Sequence, residues 1–298
     1  MTSKVALIGV PTALGGHLGG MERTPTGLRE LGLVGRLSDA GLEVTDAGDL
    51  RIEPGFHPDA DPRAKNLGRI AEFLPREALM VGGAMTRGDP DPRLLVIGGD
   101  CTAHAGALAG LRRYRPDRRL ALAWFDAHGD FNTPDTTPSG NVWGMPFAMT
   151  CGIGEADLVT ACDGPTVDAR DAALLGGQVL DEQESRMLVS AGVAHFGSGM
   201  LGTGAGMAAL TAWAEAKAAD VDAVYIAFDT DVLDRSGGWA VQMPETDGLS
   251  LDTALAAISI LARSMPVAGF GATGINLDHG DPARTLDAVV RLSAAAFG

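Results

Sequence analysis

The amino-acid sequence predicts an α/β protein built on a doubly wound parallel sheet with helices on both faces. Short, nearly continuous apolar runs recur along its 298 residues, as expected of strands that are covered on both faces. Longer segments with helical spacing of apolar residues alternate with these runs. Long polar loops mostly follow the runs, and ligands bind beyond the carboxyl ends of strands in such sheets.

Eight apolar runs are the predicted strands. They are 4–10, 42–48, 94–99, 120–127, 172–177, 192–197, 223–229 and 266–272. The long polar loops are 11–25, 49–63, 129–144 and 232–249. Because these loops come directly after or close to the end of an apolar run, we expect them to gather at one edge of the sheet.

Five segments between the strands are predicted helices. They are 26–40, 181–191, 206–219, 250–264 and 281–297. Several open on a residue that caps helices well, such as Ser250 or Asp281. No linker, internal repeat or low-complexity tract interrupts the alternation, so we expect a single domain over residues 1–298.

The composition restricts the partners of the protein. A formal charge of -15 argues against nucleic acid or an anionic membrane, because both need basic surface, and favours a small-molecule substrate. No run of about 18 apolar residues predicts a transmembrane helix, and no signal peptide is recognised. The odd number of cysteines, Cys101, Cys151 and Cys162, suits a reducing environment, so we expect a cytoplasmic protein.

Two acidic clusters end two of the predicted strands. Asp126, His128 and Asp130 follow one apolar run at every second position, so they share a face if the chain stays extended. Asp229 and Asp231 end another. Carboxylates that converge on one sheet edge repel each other unless protons or cations neutralise them.

The mixture of carboxylates with one imidazole favours Mn²⁺ over Zn²⁺, Mg²⁺ or Ca²⁺. So many anionic ligands can hold two ions about 3.5–4 Å apart. The alternative is that only one cluster binds metal and that the other caps turns.

The chain resembles the arginase/agmatinase (ureohydrolase) family in motifs spread along its full length. DAHGDFNTPDTTPSGN is similar to DAHxDxNTP…SGN, AFDTDVLD to SxDxDxxDP, and IGGDCTA to GGDHS. The Gly-rich opening before GLRELGL and the late segment GATGINLDHGD also stand in the family order. The resemblance implies a three-layer α/β/α fold around a mainly eight-stranded parallel sheet, assembled into trimers or hexamers.

The resemblance also implies a site with two Mn²⁺ ions, whose bridging hydroxide attacks a guanidinium carbon. The implied metal ligands are Cys101, Asp126, His128, Asp130, Asp229 and Asp231. Among them Asp126, Asp130 and Asp229 would be shared between the ions. Asp130 is the expected catalytic proton carrier to the leaving amine.

Cys101 stands where the family has a histidine ligand. A thiolate is a softer ligand than imidazole and less favoured by Mn²⁺. Three outcomes are open: Cys101 binds metal, the first ion binds weakly without it, or His104 takes its place. Relatives that act on hydroxyguanidines also carry cysteine here, which makes Cys101 compatible with catalysis.

The expected substrate-binding residues match the family in part. They are Asn132, Ser139, Asn141, Trp143 and Asp181. Trp143 replaces the histidine of the family motif HGxP, and it can wall a pocket or stack on a planar cation. Asn132 and Ser139 could equally form turns, and Asp181 could equally cap a helix.

Gly274 and Gly271 replace a Glu and an Asp of the family. Without a carboxylate at 274, ordinary arginase specificity is not expected unless Asp278 or another carboxylate enters the pocket. We therefore predict a hydrolase that cleaves a C–N bond of a small guanidine, hydroxyguanidine or amidine. The alternatives are a neutral amide or formamide substrate at the same metal site, or a metal-poor, non-catalytic family member.

Overall fold

A computed structural model describes residues 3–53, 62–87 and 91–298 of the chain. The strands in this part form one sheet in which every neighbouring pair is parallel. They are β1 Ser3–Val10, β2 Leu42–Asp49, β3 Arg93–Gly98, β4 Leu120–Asp126, β5 Ala172–Gly176, β6 Ala194–Gly197, β7 Ala223–Asp229 and β8 Val267–Thr273. The eight predicted strands and the parallel α/β fold are confirmed.

The strand order brings distant parts of the chain together at the centre of the sheet. The order is β2-β1-β3-β8-β7-β4-β5-β6. In the register, Phe125 pairs with Phe228, and Asp229 pairs with Thr273. The ends of β4, β7 and β8 are therefore level, so the loops that follow these strands meet at one edge.

Helices cover both faces of the sheet. In the described residues they are α1 Thr24–Glu30, α2 Leu33–Asp39, α3 Leu67–Thr86, α4 Thr102–Tyr114, α5 Pro146–Thr150, α6 Ala156–Ala161, α7 Glu182–Ala191, α8 Ser198–Leu201, α9 Gly204–Ala218, α10 Leu251–Ser264 and α11 Pro282–Phe297. Alternate residues of β4 show the two faces. Ala121, Ala123 and Phe125 belong to the core beneath α1, α2 and α8–α11, whereas Leu122 and Trp124 belong to the core beneath α3–α7.

The helices differ from the sequence-based prediction in two ways. The predicted helix 26–40 is two short helices, because Gly32 adopts φ +95° between α1 and α2. The helices α3–α6 and α8 were not predicted. Residues 102–111 of α4 are all buried, so this helix lacks the alternation of buried and exposed residues by which surface helices are recognised. Part of the predicted loop 49–63, residues 54–61, lies outside the described residues.

Two observations concern the cysteines and the length of the apolar helices. All three cysteines carry free thiols. None of the helices within the described residues is long and apolar enough to cross a membrane.

Candidate metal-binding and active site

Three buried ligands meet where β3, β4 and β7 end. Cys101 follows β3, and its Sγ donates a hydrogen bond of 2.8 Å to Oδ2 of Asp229. The same sulfur lies 3.8 Å from Oδ2 of Asp126. These three side chains offer a group of ligand atoms close enough together to hold one metal ion.

A second group of ligands shares Asp126 with the first. It consists of Asp126, His128 and Asp231. Nδ1 of His128 lies 3.3 Å from Oδ1 of Asp126 and 3.1 Å from Oδ2 of Asp231. The two groups together have the donors for two neighbouring cations that share one carboxylate.

Backbone hydrogen bonds fix the carboxylates of both groups. The N–H of His128 donates to Asp126 Oδ1 at 2.7 Å, and the N–H of Asp231 donates to Asp229 Oδ1 at 2.9 Å. This pairing of a carboxylate with the N–H two residues later is the Asx-turn. Indole Nε1 of Trp124 donates to Oδ2 of Asp126 at 3.1 Å. The DxH and DxD sequences thus position the ligand oxygens by local geometry.

Asp130 reaches the site by a turn and not by strand alternation. The strand β4 ends at Asp126, and Asp130 has φ +49°, so the extended conformation expected between them does not persist. Asp130 nevertheless lines the same cavity. Its Oδ2 is buried and has no hydrogen-bond partner within the described residues. Burial and the charges of Asp126 and Asp229 raise the pKa of Asp130 well above its usual range.

The acidic side chains of the site repel each other in a buried place. Burial and the neighbouring Asp231 raise the pKa of Asp229 to about 7, and burial and Asp126 raise the pKa of Asp231 to about 6. Burial, followed by the charge of Asp229, raises the pKa of the Cys101 thiol well above its ordinary value. Burial lowers the pKa of His128, but Asp231 and Asp126 outweigh it, so the net shift is well upward.

Such repulsion is relieved by protons or by cations. The unpartnered oxygen of Asp130 and the donor set of oxygens, one imidazole and one sulfur fit divalent transition-metal ions.

Glu184 is a buried residue of the site that sequence reasoning missed. Its Oε1 accepts hydrogen bonds from the N–H of Phe131 at 3.0 Å and from Nδ2 of Asn132 at 3.1 Å. Asp181 caps α7, and the two residues form a capping box. The Asp-x-x-Glu spacing of this capping box was the sequence feature from which Glu184 could have been predicted. Burial raises the pKa of Glu184 to about 7.

The predicted substrate residues divide into those that line the cavity and one that does not. Asn132, Ser139, Trp143 and Asp181 line it. Asn141 is buried elsewhere, because its Oδ1 accepts a hydrogen bond from Lys65 Nζ at 2.9 Å. The structure therefore does not bring Asn141 to the cavity wall.

Trp143 walls the cavity from the side of the N-terminal loop. Its backbone N–H donates to the carbonyl of Gly15 at 2.8 Å. Any side chain on Gly16 would overlap the indole ring, so the loop and the ring are packed against each other. The ring lies 5.9 Å from that of His17.

The cavity measures about 200 Å³ and is acidic. Seven carboxyl groups line it, and no Lys or Arg does so among the described residues. Gly274 also lines it, and the neighbouring backbone N–H of Gln242 donates to the carbonyl of Gly274 at 2.8 Å. Asp278 forms an ion pair with Arg23 at the surface, so it does not supply the carboxylate that Gly274 lacks.

His104 is not among the candidate ligands, because both ring nitrogens are engaged elsewhere. Nε2 lies 3.0 Å from the hydroxyl of Thr273, and Nδ1 lies 3.0 Å from the hydroxyl of Tyr225. The imidazole is fully buried beneath the site.

Fold and site together define a parallel α/β protein with an acidic pocket, fit for divalent cations, at the carboxyl edge of its sheet. The chain matches the family model described as "Arginase family" over residues 3–297. It is 31% identical over 301 residues to the arginase of Bacillus caldovelox, which covers 99% of this chain and 98% of that protein. It is 30% identical over 322 residues to arginase-1 of Oryctolagus cuniculus, which covers 100% and 95%.

A solved structure shows the same fold. The native structure of the Bacillus caldovelox arginase at pH 5.6 has a TM-score of 0.89 at 30% identity, covering 100% of this chain and 99% of that one. The chain belongs to the arginase family. This membership supports a hydrolase of the ureohydrolase type and confirms the three-layer fold that the resemblance implied.

Proposed function

We propose that this chain is a Mn²⁺-dependent hydrolase that cleaves a C–N bond of a small guanidine, hydroxyguanidine or amidine. The observation that carries the proposal is the pair of ligand groups that share Asp126 on the floor of an acidic cavity. Cys101, Asp126 and Asp229 would hold one ion, and Asp126, His128 and Asp231 the other. Asp130 would complete the set of six expected ligands.

Two bound Mn²⁺ ions would supply an activated water nucleophile and would polarise the carbon that it attacks. The protein would contribute the dry, shaped cavity that strengthens these interactions. The Asx-turns at Asp126 and Asp229 would keep the ligand oxygens in place without a further loss of side-chain freedom.

Asp130 would carry a proton between the nucleophile and the leaving amine. Its Oδ2 has no competing hydrogen bond from residues 3–53, 62–87 or 91–298, and it lies in the cavity among the proposed metal ligands. Because Oδ2 faces the cavity between the two ligand groups, it is placed to accept a proton released by the nucleophile. The proton would then pass to the nitrogen that leaves.

The walls of the cavity favour a planar cation. The carboxyl groups attract positive charge, and the indole of Trp143 offers a face on which a guanidinium or amidinium can stack. Asn132 and Ser139, which share the loop 129–144 with Trp143, would contact the remainder of the substrate together with Asp181.

A neutral amide or formamide is the second candidate substrate, and Gly274 favours it. The family glutamate that would pair with a guanidinium is absent at this position, so the selectivity for a cation is reduced. The assembly into a trimer or hexamer, the cytoplasmic location and the single-domain organisation stay predictions from the sequence.

The metal count is the test to make first. The purified chain is dialysed against Mn²⁺, excess ion is removed, and the ions per chain are counted by mass spectrometry. We expect two ions per chain, followed by hydrolysis of at least one member of a panel of guanidines, hydroxyguanidines, amidines and amides. The variant Asp130→Asn should keep the fold, because asparagine tolerates the positive φ at this position, and should lose most of the turnover.

If the chain binds no Mn²⁺, or if it is fully loaded and hydrolyses nothing in the panel, the proposal is wrong. The metal-poor, non-catalytic alternative then becomes the better description.

A further inference from the structure

A hydrogen-bonded series of three buried side chains lies directly behind Cys101. The hydroxyl of Thr273 is 3.4 Å from Cys101 Sγ and 3.0 Å from His104 Nε2. The other imidazole nitrogen, Nδ1, is 3.0 Å from the hydroxyl of Tyr225. Thr273, His104 and Tyr225 are each fully buried. The series Tyr225–His104–Thr273–Cys101 therefore runs from the core of the sheet to the metal-binding sulfur.

Gly271 and Trp124 hold these three side chains in place. A Cβ on Gly271 would lie 2.5 Å from the Tyr225 hydroxyl and 2.7 Å from the His104 ring, so only glycine leaves room for the pair. The His104 ring also packs edge-on against Trp124, with ring centroids 5.1 Å apart. The histidine is thus confined from both sides.

The direction of the hydrogen bonds follows from the number of protons available. His104 is fully buried and both of its ring nitrogens face neutral hydroxyls, so the imidazole is neutral and has one N–H and one acceptor nitrogen. If Tyr225 donates to Nδ1, then Nε2–H donates to Thr273, and the Thr273 proton is free to point at Cys101 Sγ. Every donor in the series then has an acceptor.

The opposite direction leaves a buried proton without an acceptor. Thr273 would donate to Nε2, Nδ1–H would donate to Tyr225, and the phenolic proton would need another partner. Tyr225 has no second hydrogen-bond partner within the described residues. The carboxyl of Glu77 acts on Tyr225 through its charge, but neither of its oxygens makes a hydrogen bond to a part of the chain that the structure describes. A buried hydroxyl without an acceptor is unfavourable.

We propose that Tyr225, His104 and Thr273 are positioning residues that direct the Thr273 hydroxyl at Cys101 and so make its sulfur a metal ligand. Hydrogen bonds to a coordinating sulfur orient it and tune the metal–sulfur bond. Cys101 replaces the usual histidine, and the buried series of donors would orient its sulfur toward the metal. The inference rests on the metal centre under the proposed function and goes beyond it by assigning residues that do not contact the ions.

Cobalt substitution tests the chain of donors without measuring turnover. The full-length protein is loaded with Co²⁺, and its absorption spectrum reports both the visible bands of the bound ion and the near-ultraviolet sulfur-to-cobalt charge-transfer band. A hydrogen bond to sulfur raises the energy of that band. The variants are Thr273→Val and Tyr225→Phe, each of which removes a hydroxyl with little change in shape. Tyr114→Phe is the matched control, because Tyr114 lies at the end of α4 in the part-exposed surface.

We expect the unsubstituted protein to show the sulfur-to-cobalt band. Thr273→Val should shift it to longer wavelength and lower the Co²⁺ affinity by about 10-fold, the lower end of the usual effect of outer-sphere partners. Tyr225→Phe should change the band position and the Co²⁺ affinity in the same direction but less. Tyr114→Phe should change neither quantity. Far-ultraviolet circular dichroism of each variant checks that the fold is kept.

Two results would overturn the inference and distinguish it from the proposed function. Bound cobalt with visible bands but without a sulfur-to-cobalt band would mean that Cys101 is not a ligand, while the metal centre itself survives. A band that neither Thr273→Val nor Tyr225→Phe moves would mean that the series is only structural. Absence of any cobalt absorption would overturn both the inference and the proposed metal centre.

Discussion

Gly274 leaves no space for a side chain beside Asp229. A Cβ built on Gly274 would overlap Oδ1 of Asp229, and the backbone there has φ +72°. The N–H of Gly274 donates to the carbonyl of Gly99 at 2.9 Å, which holds this backbone against β3. A carboxylate at position 274 would therefore displace Asp229, a proposed metal ligand, so the departure from the family pattern is tied to the geometry of the site.

The first prediction concerns Gly274→Ala. The added methyl group should push Asp229 aside, so the variant should bind fewer Mn²⁺ ions per chain, measured by mass spectrometry after dialysis. Positive φ alone costs a non-glycine residue about 1–2 kcal/mol. Gly238→Ala isolates that cost, because Gly238 has φ +69° and no atom of the described part of the chain lies within 4 Å of the added carbon. Equal metal content in the two variants would contradict the prediction.

The second prediction separates the two ligand groups. Cys101→Ser should remove one ion per chain, because only the first group contains the sulfur. Asp126→Asn should remove both, because this carboxylate belongs to each group. Asp234→Asn is the control, since Asp234 follows the same motif but does not line the cavity. Retention of one tightly held ion in Asp126→Asn would show that the groups do not depend on the shared carboxylate.

The third prediction is the pH dependence of the cation-free protein. The pKa values of Asp229, Asp231 and Glu184 are raised to about 7, 6 and 7, whereas an unfolded carboxyl has a pKa near 4. Between these values the folded chain binds more protons than the unfolded chain, so the free energy of unfolding should fall as the pH rises from about 4 to 7. The raised pKa of His128 acts in the same direction at higher pH.

Urea unfolding of chelator-treated protein at pH 5 and pH 8 measures this slope. The cation-free protein should be less stable at pH 8, and Mn²⁺ should restore most of the difference. Carboxylates with lowered pKa values, such as Asp168 at about 2, lose their contribution only below pH 4 and so do not mask the effect. Equal or greater stability at pH 8 without cations would contradict the assignment of the buried charges.

The fourth prediction concerns Glu184→Ala. The variant leaves the buried N–H of Phe131 without its acceptor and removes the capping box of α7, so it should lower the free energy of unfolding by about 1–3 kcal/mol. Turnover should fall as well, because Asn132 loses its support. Glu182→Ala tests the specificity of the effect: Glu182 is exposed, and its one ion pair within the described residues is with Arg186 one turn away, which is worth about 0.5 kcal/mol or less.

The sequence predicted the parallel sheet because its strands are buried on both faces. Runs such as 120–127 therefore read as continuous apolar segments, and the polar residues that end them marked the site edge. The helix α4 was missed because residues 102–111 are buried on every side and rich in Ala and Gly, so they show no helical alternation of apolar and polar residues. The break at Gly32 depends on one positive φ, which helical spacing alone does not reveal.

The site was predictable only as far as residue types go. The spacing of the carboxylates and of His128 after two strands predicted a cation-binding site at this edge of the sheet. The orientation of Asn141 toward Lys65 and the positive φ of Asp130 depend on long-range packing and turn geometry. The overlap between Gly274 and Asp229 joins positions far apart in the chain, so no local pattern could contain it.

Under the proposed function, the carboxylate shared by the two ligand groups would link the lifetime of the protein in a cell to its supply of metal. A ligand that binds only the folded state stabilises it by about 2.7 kcal/mol when present at 100 times its dissociation constant. Differences of about 1–2 kcal/mol change the steady-state abundance of a protein several-fold, through the fraction open to proteases. If both groups bind ions as proposed, Asp126 serves each of them, so starvation for metal would remove two stabilising ions together, and the metal-free protein would be degraded before the loaded one.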